Sequence, residues 1–134
     1  MEDEIIIDAE DCVLGRVAAY SAKKALQGKK IIILNCDKAI VTGDRKMVQE
    51  EFRQKFVRGG NAQKGPYVSS NPVLIMKRAL RGMLPHKRER GRIAAKNIMC
   101  FNDTPLEYAS AKKENLKRDI QCKYIRLSEL KLSK

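Results

Sequence analysis

The stretch KIIILNC, Lys30 to Cys36, sets four large apolar side chains in a row. In an extended strand, successive side chains point to opposite faces, so this segment is apolar on both. A strand of that kind has to be covered on both sides, as strands of parallel sheets are. EIIID, Glu4 to Asp8, is a second short β-branched run bounded by charge. Between the two, Leu14, Val17, Ala18, Ser21, Ala22 and Ala25 recur at helical spacing and give one apolar-to-small face. Asp11 is placed to cap the start of that helix, and Gly28 sits where a left-handed residue ends one. Strand, helix and strand in this order imply a right-handed crossover and a parallel pair.

The rest of the chain continues the alternation. AIVTG (Ala39 to Gly43) reads as a shorter strand that ends in a turn. Met47 to Val57 reads as a helix carrying Val48, Phe52 and Phe56. Arg58 to Pro72 is rich in Gly, Ser, Asn and Pro and reads as a loop. Asn71 followed by Pro72 is a helix start, with Val73, Met76, Leu80 and Met83 as the buried stripe. Pro85 disfavours helix at Leu84, so this helix should stop near Met83. NIMCF (Asn97 to Phe101) is a last buried strand. The tail from Asp103 is Lys-rich, and within it YIRLSEL (Tyr124 to Leu130) reads as a short terminal turn of helix. The expectation is an α/β fold: a single three-layer α/β/α domain with a mostly parallel central sheet of about four strands. Residues 1–105 form the domain, and 106–134 form an extension that packs on it or on a partner.

A chain of 134 residues suits one domain. Its charge is more telling: 28 Lys and Arg against 16 Asp and Glu, a net charge of +12. The imbalance is polarised, because Met1 to Val13 holds six acids and no base. Such a field attracts polyanions without dictating a fold. Four cysteines at 12, 36, 100 and 122 form no C-x-x-C, and a single histidine cannot complete an ordinary zinc set. They read as reduced structural thiols, with no metal and no cofactor. An acidic N-terminus without a hydrophobic signal region, and apolar runs of only a few residues, predict a cytoplasmic protein with no membrane contact.

An α/β sheet invites a nucleotide-enzyme reading. A dinucleotide site needs a Gly-rich turn after the first strand, so that a pyrophosphate can approach the helix N-terminus. Here that turn is DAEDCVLGR, with one Gly and acids that repel phosphate. No G-x-x-x-x-G-K-[ST] follows, and VTGDRK (Val41 to Lys46) is an ordinary turn before a helix. His86 stands in a basic run without a partner to orient it as a base. Ser69 and Ser70 belong to no nucleophile motif. No small-molecule substrate is expected, and an enzyme reading would rest on fold analogy alone.

The cations carry more information. Lys77 to Lys96 holds eight Lys or Arg and one Glu, and Arg outnumbers Lys five to three. Arg grips phosphate with a planar, forked donor set. Lys77, Arg78 and Arg81 fall on the helix before Pro85. Lys87, Arg88, Arg90 and Arg92 follow on what reads as a loop projecting from it. A second group, Arg53, Lys55, Arg58 and Lys64, flanks a stretch where Gly59, Gly60 and Gly65 would let backbone amides approach phosphate. Gly82, beside Met83, reads as a place for close packing at the helix end. Aromatic residues make up only 5% of the chain, so a stacking platform for single strands is not expected. The reading is contact with the backbone and shape of folded RNA.

These residues also carry a resemblance. RGMLPHKRERG (Arg81 to Gly91) resembles the signature of the large-subunit ribosomal protein L-thirteen family. IDAEDCVLGRVAA (Ile7 to Ala19), ILNCDKAIVTGDR (Ile33 to Arg45), KGPYVSSNPVLIMKRALRGMLP (Lys64 to Pro85) and NIMCFNDTP (Asn97 to Pro105) resemble further family segments in the same order. His86 within MLPHK and the GPY at Gly65 resemble the archaeal or eukaryotic forms, and the short ends point to the archaeal one. The resemblance implies a non-catalytic domain that binds large-subunit ribosomal RNA early in assembly, beside neighbouring large-subunit proteins. The RNA contacts expected are Arg16, Lys46, Arg53, Lys55, Arg58, Lys64, Lys77, Arg78, Arg81, His86, Lys87, Arg88, Arg90 and Arg92. The competing readings are a small nucleotide- or RNA-processing enzyme and a nucleic-acid binding regulator acting off the ribosome.

Overall fold

In the computed structural model, residues 4–58 and 69–130 are described. β1 (Glu4–Asp8) leads to α1 (Leu14–Leu26) and β2 (Lys30–Leu34). β3 (Ile40–Thr42) and α2 (Arg45–Val57) follow, then α3 (Pro72–Met83), α4 (Glu89–Lys96) and β4 (Ile98–Cys100). Two short strands in the tail, β5 (Glu114–Asn115) and β6 (Tyr124–Arg126), complete the order.

The main sheet has the order β4-β2-β1-β5, and every pair in it is parallel. Ile5 pairs with Ile31 and Ile7 with Ile33, while Ile33 pairs with Cys100 across β4. Ile31, Ile32, Ile33 and Leu34 are all fully buried, so both faces of β2 are covered, as its sequence requires. Each such side chain contributes roughly 1.5–3 kcal/mol relative to exposure. Ile7, Ile31 and Ile33 join the inward faces of α1, α3 and α4 in one core. Beyond the end of α1, Gly28 has a φ of 89°, and the terminal hydrogen bonds run from Gly28 N–H to Ala25 O and from Lys29 N–H to Lys24 O.

Around α1, β3 and the tail, the structure departs from expectation in three places. Asp11 does not cap α1. Its φ is +57°, the helix starts at Leu14 behind Val13, and the Asp11 carboxylate accepts instead from Arg126 at 2.8 Å. AIVTG is a strand, but it leaves the main sheet: Asn35 turns left-handed, and Cys36–Lys38 form a 3-10 turn. β3 then pairs antiparallel with β6. YIRLSEL is therefore a strand before it is a turn, with Ile125, Leu127 and Leu130 buried in the core. Three residues are too few to display the alternation by which strands are read.

Candidate nucleic-acid interface

α3 begins as its sequence dictates. Pro72 occupies the first helical position, and the Asn71 side chain accepts from Val73 N–H at 3.1 Å. The Ser69 hydroxyl accepts in turn from Asn71 N–H at 3.1 Å, which ties the approach to the cap. Ile75, Met76 and Leu80 enter the core. Val73 is only half-buried and Met83 is exposed, so the fully buried stripe is shorter at both ends than expected and takes in Ile75. Lys77, Arg78 and Arg81 lie on the exposed side. The helix stops at Leu84, which is extended and buried ahead of Pro85.

The basic segment that follows is largely not a loop. His86 N–H donates to Leu84 O at 2.8 Å and Arg88 N–H to Pro85 O at 2.9 Å, which close a compact turn. α4 starts directly after it, so Arg90 and Arg92 are helical while Lys87 and Arg88 stand on the turn. Glu89, in the first turn of α4, suits the positive end of the helix dipole. Arg92 Nε donates to His86 O at 3.4 Å. The close approach at this corner belongs to Gly91, which is buried against the Pro85–His86 backbone, and not to Gly82, which faces open space. The eight residues ERGRIAAK hide their helix from sequence reading, because charge and a glycine mask the small face made by Gly91 and Ala94.

The cations differ in how they are compensated. Lys30, Lys38, Arg53, Lys55, Lys117 and Arg126 each lie within 4 Å of a carboxylate. Among the described residues, Lys77, Arg78, Arg81, Lys87, Arg88, Arg90 and Lys96 form no ion pair. They occupy consecutive elements of one α3–turn–α4 unit. A hollow between α2 and α3 brings Lys55 beside Lys77, Arg78 and Arg81. A second hollow brings Lys77 and Arg81 beside Lys96, a residue outside the expected contacts because only the folded α4 carries it there. Lys77 and Arg81, one helical turn apart, border both.

Other expected contacts fall elsewhere. Arg16 is exposed on α1 and groups with Lys117 and Arg118 of the tail, two cations that the sequence reading passed over. Lys46 is exposed at the start of α2 and Arg58 at its end. Arg53 is tied to Glu50 at 3.3 Å. His86 is half-buried at the turn. Lys64 and the glycines at 59, 60 and 65 lie outside the described residues.

The place where an α/β sheet would hold a nucleotide is differently furnished. In such sheets, ligands bind beyond the carboxyl ends of the strands, where the strand order reverses. Here that is the end of β1, between β2 and β5. Asp8 Oδ1 accepts from Glu10 N–H at 3.0 Å and from Asn35 Nδ2 at 2.9 Å. The tail closes the remaining space, with Asn115 against the Cys12 thiol and both Lys117 and Arg126 on Asp11. In this crevice the acids are met by the chain's own Asn35, Lys38, Lys117 and Arg126. Among the described residues, no group of three or more His, Cys, Asp or Glu is placed to hold a metal ion, and no helix is long and apolar enough to cross a membrane.

Known proteins resemble this chain along most of its length. The family described as Ribosomal protein L13 matches residues 2–107. The large ribosomal subunit protein uL13 of Methanopyrus kandleri is 45% identical over 104 residues, 78% of this chain and 65% of that protein. The uL13 of Archaeoglobus fulgidus is 42% identical over 79% of this chain and 67% of its own length. The uL13 of Natronomonas pharaonis is 37% identical over 95% of this chain and 88% of its own length. The match to the first of these spans just under two thirds of that relative.

Proposed function

This chain belongs to the ribosomal protein L13 family, of the type that these archaeal relatives share, and we propose that it is a structural constituent of the large ribosomal subunit. It binds folded large-subunit ribosomal RNA and stabilises it. The observation that carries this reading is the run of cations on α3, the turn and α4, none of which meets a carboxylate among the described residues. Cations concentrated on one unit without partners repel one another, and a polyanion removes that cost. The unit supplies a rigid base, since α3 is capped and anchored in the core, and the turn is hydrogen-bonded. Lys77, Arg78, Arg81, Lys87, Arg88 and Arg90 are the central phosphate contacts, extended by Lys55, Arg58, Arg92, Lys96 and His86. Arg16, Lys46, Arg53 and Lys64 are outlying contacts. Positioning on phosphates and RNA shape requires no base sequence.

Neighbouring large-subunit proteins are further partners, the site of action is the cytoplasmic ribosome, and the RNA contact is made early in subunit assembly. Residues 1–105 act as the RNA-binding domain, and 106–134 act as a Lys-rich extension that packs on that domain or on RNA. No catalytic step belongs to this reading. The test is sedimentation of a cell extract containing tagged protein. The account expects the protein in the large-subunit fraction, retained in moderate salt. Recovery only in the light soluble fractions would reject it.

A further inference from the structure

Phosphate contacts position an RNA but hold none of its bases. We infer that the hollow between α2 and α3 receives one unstacked nucleobase of the bound RNA, whose phosphates lie on the cations at its rim. This inference rests on the ribosomal RNA-binding reading and gives it a specific subsite.

The hollow has a volume of about 550 Å³, within the range of roughly 300–1,000 Å³ usual for small-ligand sites. Leu14, Phe52, Leu74 and Ile75 form the apolar part of its lining. Leu74 is 48% exposed, an uncovered apolar side chain on the first turns of an otherwise core-facing helix. The rim carries Lys55, Lys77, Arg78 and Arg81, and no acid among the described residues lines it. Lys55 Nζ already sits 5.3 Å from the Phe52 ring centre, so a cation and an aromatic wall are side by side. The Ser69 hydroxyl, also at the wall, is a polar group able to meet a base edge.

An apolar floor with a uniformly cationic rim is complementary to a nucleotide, which is a flat, weakly polar ring on an anionic chain. An apolar side chain of a neighbouring protein would use the floor and leave Lys77, Arg78 and Arg81 unmatched. The scarcity of aromatic residues argues against a platform for several stacked bases and leaves room for one seated singly. RNA loops and bulges present such splayed bases.

The probes are adenosine 5′-monophosphate and ribose 5-phosphate, which differ by the base alone. Each is titrated at millimolar concentration into the full chain with labelled Leu and Ile methyl groups. The account expects the nucleotide to shift the Leu74 and Ile75 methyl signals and ribose 5-phosphate to leave them in place. A parallel measurement uses Leu74→Asn, a neutral change at an exposed position, with total large-subunit ribosomal RNA. Affinity should fall about tenfold, on the scale of one base contact, while the salt slope stays that of the unaltered chain. Methyl signals indifferent to the nucleotide, or unchanged RNA affinity in Leu74→Asn, would overturn the subsite while leaving the phosphate interface standing. An unaltered chain whose RNA affinity ignores salt would remove the parent reading, and the subsite with it.

Discussion

Gly91 lies directly against the carbonyl group of Pro85, with no room for a side chain between them. This contact folds the basic segment back on itself, so that α4 starts within a few residues of the end of α3. Replacing Gly91 by Ala places a methyl group into backbone that cannot move without breaking the Arg88 N–H to Pro85 O bond. The expected loss of stability is at least the roughly 1–3 kcal/mol typical of overpacking. Gly82→Ala is the contrasting change, since nothing lies within 4 Å of its added methyl. It should be neutral or stabilising by up to about 1 kcal/mol, through helix propensity. Urea unfolding of the two variants checks the contrast.

Thiol reactivity tests how the core is closed. Cys122 is exposed, while Cys12, Cys36 and Cys100 are buried. Burial is the main cause pushing the Cys12 thiol up. The hydrogen bond with Cys100, and then burial, push Cys36 up. Low thiolate content and low access act together at Cys12 and Cys36. At Cys100, whose thiol the hydrogen bond from Cys36 pushes down, burial alone limits reaction. Native protein near neutral pH should release one equivalent of thionitrobenzoate quickly from Ellman's reagent, and denatured protein four. A Cys122→Ser variant that still reacts quickly would contradict the packing of the tail.

The tail strand β5 gives a prediction in alkaline solution. Tyr20 Oη donates to Glu114 at 2.7 Å. That bond, followed by slight burial and the negative charge of Glu114, raises the phenol above its ordinary value of 10.0. A raised phenol pKa means that the fold favours the protonated form. The contribution is therefore complete below the unfolded value and is lost as pH rises through the folded one. The tyrosinate absorbance of the native protein should show one phenol ionising late, and Glu114→Gln should bring it earlier. Tyr20→Phe should lose less stability than the parent over that alkaline window.

Much of this was legible in the sequence, for identifiable reasons. The both-sided apolar run Ile31 to Leu34 admits one kind of environment, and it is found there. Asn71 and Pro72 act locally, so the start of α3 followed from the residues alone. Asp11 was misread as a cap because its partner, Arg126, lies 115 residues away. α4 was missed because its position depends on the fit of Gly91 to Pro85, a contact that spacing does not display. The cations were legible by type, but their grouping was not: Lys96 joins Lys77 and Arg81 only once α4 is folded back. Arg16 joins Lys117 and Arg118 only once the tail is laid beside β1.

The central claim is that uncompensated cations on α3 meet RNA phosphates, and the salt dependence of binding tests it most directly. Binding of the chain to total large-subunit ribosomal RNA is measured over a series of salt concentrations, for the parent and for Lys77→Gln/Arg78→Gln/Arg81→Gln. Each neutralised phosphate contributes a slope of roughly −0.7 to −0.9 in log affinity against log salt. The triple variant should thus lose about two to three units of slope. Lys38→Gln, whose lysine already faces Glu10 at 3.8 Å, should keep the parent slope. A triple variant that binds with the parent's salt slope would contradict the account.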